Sequence, residues 1–479
     1  MGGKRVFSSF IWSVLERFGA QLIGIIVNVI LARLLAPSDF GILAIMVIFT
    51  NLANQFVQNG FNTSLIQNKD VTDEDYSSVL HVSMLLSLIL YIVLFAVAPF
   101  IADYYDSSGV VFPFRILALI LFPGTLQSVQ TAKLKRELDF KKIFVLTITA
   151  SLCGGIVGVV MAFAGFGVWA LVWQQLVGSI STCIVLFMSL KWRPRAIVNF
   201  KRVKILFSYG WKLLVAAAIN TLYNDLTGLV IGKKYSTDML AYYDKGQMFP
   251  AKIVTSINDS LQNVMLPALS QYQDEKEKCK ELMRQSVKVS CYVIFPMMAG
   301  LAAVATPLIR FLLTDKWIAC VPFMQLACIN FAFNPIASAN LQAIKAMGRS
   351  DIFLKLEIYK KIIGIIALVI TVFCFDSPLA IVLGTTLTMP LGLFINAYPN
   401  KKIVGYSFKE QIRDIVPNLL LSLGMFIIVY AISYLILSDV SVIILQVLTG
   451  VVLYVMGSVI FKIDSFRVMA SIIKSYLNP

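Results

Sequence analysis

Long apolar runs, each close to the width of a bilayer, follow one another along the chain with short polar breaks between them. A hydrocarbon core of about 30 Å is crossed by roughly 20 helical residues. On that ruler the chain predicts fourteen spans, at 9–35, 39–64, 77–101, 110–132, 143–164, 167–190, 206–232, 238–268, 286–313, 318–344, 353–375, 377–398, 414–437 and 440–461. Three breaks are very short, at Gly165-Phe166-Gly167, Asp376-Ser377-Pro378 and Ser438-Asp439, and predict tight hairpins between neighbouring helices. The first run follows Lys4 and Arg5 as a signal peptide would. It contains Glu16 and Arg17, is too long for such a segment and ends at no small-residue cleavage site, so a retained first helix is expected.

Polar positions inside the runs fall in stripes. Ser13, Arg17, Gln21, Gly24 and Asn28 recur at steps of three and four, which is one face of a helix. Asn51, Asn54, Gln55, Gln58 and Asn62 do the same in the second span. The seventh offers Lys212, Asn220, Tyr223, Asn224 and Thr227; the eighth offers Lys245, Lys252 and Asp259 at seven-residue steps, with Ser256 and Asn263 on that face. Ionisable groups inside a bilayer are costly and tend to mark cavities or pathways. A shared water-filled cavity is therefore expected, lined by Arg17, Gln21, Asn28, Asn51, Asn54, Gln55, Lys212, Asn220, Asn224, Lys245, Lys252 and Asp259. Its cations suit a phosphate, held by charge-assisted hydrogen bonds. Internal ion pairing, and snorkelling of Lys212 and Lys245 to an interface, are the competing structural readings. Arg115 and Arg310 are expected to snorkel at helix ends, and the single histidine, His81, to be an interface residue rather than a proton relay. Trp169, Tyr242, Tyr243 and Trp317 are expected in aromatic belts at the membrane surface.

The chain also resembles itself. Phe10-Ile11-Trp12 and Asp39 match Tyr209-Gly210-Trp211 and Asp238, while Pro123, Gln130, Lys133 and Asp139 match Pro335, Gln342, Lys345 and Asp351. Trp169-Ala170-Leu171-Val172 matches Leu379-Ala380-Ile381-Val382. Spans 1–6 thus pair with spans 7–12, giving an expected first lobe at 1–200, a second at 201–400, and two further helices with a tail at 401–479. Six spans per copy makes the repeat parallel, and transporters built from such repeats bind substrate between lobes and rock them to alternate access.

Composition narrows the class. With 58% hydrophobic and 14% charged residues the chain is neither an ordinary soluble enzyme nor a disordered protein. The net charge of +15 has two readings, nucleic-acid binding or positive cytoplasmic loops. If the N-terminus is cytoplasmic, 31 of the 41 Lys and Arg fall in cytoplasmic segments, spread over eight short stretches. That spread fits a topology signal with both ends inside and disfavours nucleic acid. The seven cysteines are odd in number and have no CxxC spacing, so neither a disulfide framework nor a zinc site is expected; they read as small buried hydrophobes, with Cys279 in a charged loop. No nucleotide-binding loop, GxSxG or HExxH occurs, so no catalytic residue, metal or cofactor is expected.

Trp12-Ser13, then Leu31-Ala32-Arg33-Leu34-Leu35-Ala36-Pro37-Ser38-Asp39-Phe40-Gly41, resemble the "ILARLLxPxDFG" turn of the polysaccharide transporter family, the Wzx-type oligosaccharide flippases of the colanic-acid and teichuronic-acid exporter type. Tyr243-Asp244-Lys245-Gly246-Gln247 and Pro267-Ala268-Leu269-Ser270-Gln271 resemble the second-lobe counterpart. The resemblance covers essentially the whole chain. It implies the V-shaped, all-α exporter fold of the multidrug/oligosaccharidyl-lipid/polysaccharide superfamily in a bacterial cytoplasmic membrane. It also implies flipping of a polyprenyl-diphosphate-linked oligosaccharide to the outer leaflet for cell-surface polysaccharide biosynthesis. Arg17 matches that family's habit of a cation in the first helix. The resemblance leaves open coupling to H+ or Na+ and partnership with polysaccharide polymerase or export machinery. A cation-coupled multidrug or small-molecule antiporter of the same superfamily is the alternative, and such proteins usually have twelve spans. A membrane glycan polymerase or ligase is disfavoured because every expected outer loop is short.

Overall fold

The structure, a computed structural model, describes residues 2–67, 71–136, 139–190, 192–196, 198–436 and 438–469; several helix side chains in these ranges, those of Arg17 and Lys212 among them, lie outside the described residues. Among the described residues all regular structure is helical, and it divides after Ala241 into two compact units.

The first unit holds α1 (Gly2–Leu34), α2 (Pro37–Gln67), α3 (Asp73–Tyr104), α4 (Val111–Leu117), α5 (Leu121–Arg136), α6 (Phe140–Phe163), α7 (Val168–Ser189) and α8 (Phe200–Lys234). The helix α9 (Thr237–Gln271) begins there and leads into the second unit. The second unit continues with α10 (Lys276–Ala303), α11 (Ala305–Leu313), α12 (Val321–Ala332), α13 (Asn334–Ala346) and α14 (Ser350–Cys374). It closes with α15 (Pro378–Leu387), α16 (Met389–Ala397), α17 (Asn400–Ile403), α18 (Phe408–Ala431) and α19 (Asp439–Ile460).

Among the described residues these helices make fourteen rods, because four of the expected spans are broken helices. The breaks fall at a 3-10 turn over Ala118–Ile120, and at Val304, Phe333 and Thr388. Pro123, Pro335 and Pro390 sit in the first turns beyond three of them, where a missing N–H costs nothing. The repeat prolines Pro123 and Pro335 therefore mark the same kind of break in α5 and α13. Eleven stretches among the described residues are long and apolar enough to cross a membrane. The remaining rods are α1, whose apolar part is the shorter Gly19–Leu34, and α9 and α14, which carry charges within their length. The chain is a multi-pass membrane protein. All three short breaks form the expected hairpins, with Gly165 and Gly167 at positive φ and Ser438 capping α19.

Small residues let the helices approach. A Cβ on Gly154 of α6 would lie 2.4 Å from the Gln174 carbonyl oxygen of α7, and one on Gly155 would lie 2.6 Å from Val27 of α1. In the second unit a Cβ on Gly384 of α15 would lie 2.3 Å from Thr371 of α14, and one on Gly457 of α19 would lie 2.5 Å from Leu421 of α18. The division into units falls one helix later than the sequence repeat. The helix α8 packs on α2 and α3, with the Tyr105 hydroxyl donating to the Leu229 carbonyl and Lys233 paired to Asp106 at 3.0 Å. Helices α18 and α19 pack on α10 and belong to the second unit.

Buried polar networks tie each unit at the end rich in Lys and Arg. In the first, Arg202 holds the buried Asp75 at 2.8 Å, and Ser77 and Ser78 accept the backbone N–H groups of Arg195 and Asn199. In the second, Asp414 of α18 accepts from Arg284 at 2.7 Å and from the Tyr406 hydroxyl at 2.7 Å. Burial, reinforced by that bond to a carboxylate, pushes the Tyr406 hydroxyl pKa up. Asn340, Gln411 and Asn400 complete the network, all buried.

Candidate substrate-binding residues

The family-like turn is built from its residues. Leu31, Ala32, Leu35 and Phe40 are buried, Pro37 starts α2, and the Asp39 carboxylate accepts the Ala36 N–H at 3.2 Å. Gly41 is required by close approach, since a Cβ there would sit 1.9 Å from the Thr237 carbonyl oxygen at the start of α9. The turn thus fixes where α2 and α9 set out.

In the first unit the expected polar residues lie on α1, α2 and α8. Gln21 and Asn28 on α1 are half-buried. The neighbouring helices α2 and α8 run antiparallel, with Gly41 near Thr237 and with Phe49 sharing a crevice with Leu226, Leu229 and Val230. That register sets Asn54 and Gln55 at the depth of Asn224, with Asn51 and Asn220 about one turn to either side. Asn51, Asn220 and Asn224 are exposed, and Gln55 is half-buried. The Asn54 side-chain oxygen is inaccessible and has no hydrogen-bond partner, a costly state for a polar group in a membrane helix. Arg17 and Lys212 belong to α1 and α8, and their side chains lie outside the described residues, as do those of Ser13, Glu16, Gln58 and Asn62.

In the second unit the seven-residue series on α9 separates. Lys245 is only 2% exposed, with its ammonium 5.4 Å from the ring centre of the fully buried Trp317. Gly246 beside it would bring a Cβ within 2.9 Å of Phe323, Met324 and Cys320, so this part of α9 lies hard against α12. Lys252 and Asp259, further along, are half-buried. The side-chain oxygen of Asn258 is sealed without a partner, and Gln342 donates to Gln262 at 2.7 Å. The side chain of Asn263 lies outside the described residues.

Several expectations change. Trp317 is no belt residue but a core ring under Lys245, stacked edge-on with Tyr242 at 5.9 Å. Cys279 is not in a loop but buried in α10, donating to the Tyr272 carbonyl. The helix α14 starts at Ser350, three residues ahead of the expected span, and contains Lys355, Lys360 and Lys361. Arg310 pairs with Asp315 and Asp439, and Arg115 lies over the Phe95 ring at 4.0 Å, both at helix ends. His81 is exposed with Nδ1 2.7 Å from its own helix carbonyl at Ser77.

The second unit also contains a cavity of about 870 Å³ that no polar pattern announces. Its walls come from α10, α12, α15 and α18, with Met298, Ala299, Leu326, Phe333, Leu419 and Phe426 among them. Two of its polar wall residues are already satisfied, Gln325 by the Ala302 carbonyl and Ser422 by that of Asn418, and Tyr430 adds a hydroxyl. None of the stripe residues borders it. The legible trace in sequence is only a set of small residues, Ala299, Ala302, Ala332 and Ala380, within apolar runs.

A family model described as "Polysaccharide biosynthesis protein" matches residues 30–322. The lipopolysaccharide biosynthesis protein WzxC of Escherichia coli (strain K12) is 23% identical over 439 residues, 90% of this chain and 88% of that protein. The succinoglycan biosynthesis transport protein ExoT of Rhizobium meliloti (strain 1021) is 22% identical over 74% of this chain and 71% of its own length. Among solved structures, the lipid II flippase MurJ in an inward closed conformation superposes with a TM-score of 0.75, covering 96% of this chain and 100% of that one at 16% identity. That likeness establishes the exporter fold.

Proposed function

The chain belongs to the polysaccharide biosynthesis protein family, and from that membership we propose that it translocates a polyprenyl-diphosphate-linked oligosaccharide from the cytoplasmic to the outer leaflet. It does so in a bacterial cytoplasmic membrane, with both chain ends cytoplasmic and by alternating access. The named transport and flippase relatives and the absence from the sequence of any catalytic motif support a transporter rather than an enzyme. One observation carries the reading. A single membrane-embedded unit offers half-buried Lys252 on α9 and, apart from it, a mainly apolar cavity of about 870 Å³. An amphiphile with an anionic head and a long hydrocarbon tail needs both. Cations on the polar stripes, Arg17 and Lys212 in the first unit and Lys252 in the second, each suit a diphosphate through charge-assisted hydrogen bonds. The amides Asn51, Asn220 and Asn224 suit sugar hydroxyls. The tail fits the mainly apolar cavity, where Gln325 and Ser422 are already hydrogen-bonded within the protein.

The test is leaflet-resolved. Cells lacking the chain should accumulate lipid-linked repeat units on the cytoplasmic leaflet, and reconstituted protein should restore their exposure. Unchanged distribution in both assays would sink the proposal.

A further inference from the structure

The first unit has a crevice of its own, unconnected with the polar stripes. It measures about 410 Å³ and is walled by Phe49 of α2, Phe100, Tyr104 and Tyr105 at the end of α3, and Leu226 and Leu229 of α8. Both α3 and the Leu214–Lys234 part of α8 are long and apolar enough to cross a membrane, and the crevice lies at their ends. Phe100 and Tyr104 are 72% and 58% exposed, so its lip is open rather than sealed in the core. The Tyr105 hydroxyl is consumed by the Leu229 carbonyl at 3.3 Å, and the remaining walls are aliphatic and aromatic, with the Tyr104 hydroxyl among them.

The rim has a definite charge pattern. Lys233 stands with its ammonium 4.9 Å from the Tyr104 ring centre and 3.0 Å from Asp106. Asp106 adopts a left-handed backbone (φ 51°) in the turn after α3, and its side chain is 84% exposed. Asp103 is also exposed on this turn, and Lys234 lies over Tyr235. The paired Lys233 and Asp106, beside the Tyr104 ring at the ends of two membrane-length helices, complement a zwitterion better than a net charge.

We propose that this crevice holds one acyl chain of a bilayer phospholipid with a phosphoethanolamine headgroup, the phosphate on Lys233 and the ammonium on Asp106. The chain replaces bilayer contacts along an apolar wall. The headgroup exchanges an exposed Lys–Asp pair, worth little by itself, for two charge-assisted contacts with a ligand of matching polarity. The bound lipid would fill the crevice between α3 and α8 and so brace the end of the first unit. The inference does not depend on which substrate the protein moves.

Photo-crosslinking tests it. The full chain, in phosphatidylcholine nanodiscs with a trace of phosphatidylethanolamine bearing a photoreactive acyl chain, should be labelled in the segments 97–106 and 226–234 above lipid-facing helices such as α19. Unlabelled phosphatidylethanolamine should compete about fivefold better than phosphatidylglycerol, the worth of one interfacial charge contact. Leu226→Trp, which fills the crevice, should lose the labelling. Lys233→Gln with Asp106→Asn should keep the labelling and lose the headgroup preference, which keeps the test valid if the tryptophan variant misfolds. Labelling spread evenly over the lipid-facing helices overturns the proposal. So does equal competition by phosphatidylglycerol, or stronger competition by a polyprenyl phosphate, which would assign the crevice to the transport path.

Discussion

Lys245 and Lys252 stand seven residues apart on one face of α9, yet their surroundings give them different duties. Lys245 is sealed against Trp317, while Lys252 remains half-buried. A sealed ammonium under an indole ring contributes through its stem and its cation–π contact. Lys252→Ala should therefore weaken headgroup binding roughly 30-fold, the loss of about 2 kcal/mol for a charged hydrogen bond, with insertion and thermal midpoint unchanged. Lys245→Ala should instead lower stability by about 1–3 kcal/mol, and Lys245→Met, which keeps the stem volume, should restore export. Thermal unfolding in detergent beside an export assay separates the two. If Lys245→Met exports nothing, Lys245 is a substrate cation after all. The periodicity in the sequence placed both lysines on one face, but depth beneath a neighbouring helix is a property of packing. Only the small Gly246 next to Lys245, which lets α9 press on α12, hinted at it.

Among the elements, the hinge-like turn between α1 and α2 deserves its glycine for a steric reason. An alanine at Gly41 would put a carbon 1.9 Å from the Thr237 carbonyl, backbone that cannot step aside alone. Gly41→Ala should destabilise by about 3 kcal/mol through overpacking, read as a fall in thermal midpoint. Gly24→Ala on α1 is the control, since its Cβ meets nothing within 4 Å and helix propensity favours it by up to about 1 kcal/mol. Equal midpoints for the two variants would refute the packing argument. Element existence was largely legible, because a twenty-residue apolar run admits few alternatives in a bilayer. The interior breaks were not. Pro123, Pro335 and Pro390 were visible, but a proline near a helix start looks the same in sequence whether it opens a new segment or follows a break within one span. The start of α14 falls only three residues ahead of its expected span, and within it Lys360 is held by Glu357 at 2.5 Å.

Over the whole molecule, the polar stripes and the apolar cavity are separate features, and they were unequally visible. Stripes carry polar residues at a helical period. A cavity is a deficit of volume between α10, α12, α15 and α18 and has no period to read. Long-range partners such as Arg284 with Asp414, 130 residues apart, were hidden for the same reason. If the cavity takes the hydrocarbon tail and the stripes take the head, the two must fail separately. Ala299→Trp enlarges a wall residue of the cavity without touching α9. The intruding ring should cost the tail about 1–2 kcal/mol of fit, so transport of a long-chain lipid-linked substrate should fall roughly tenfold. Binding of inorganic pyrophosphate, which has no tail, should be unaffected. Lys252→Ala should show the reverse order, losing pyrophosphate binding as well as transport. Loss of both activities in Ala299→Trp, in protein with an unchanged thermal midpoint, would mean that head and tail share one site and that the division of labour between stripe and cavity is wrong.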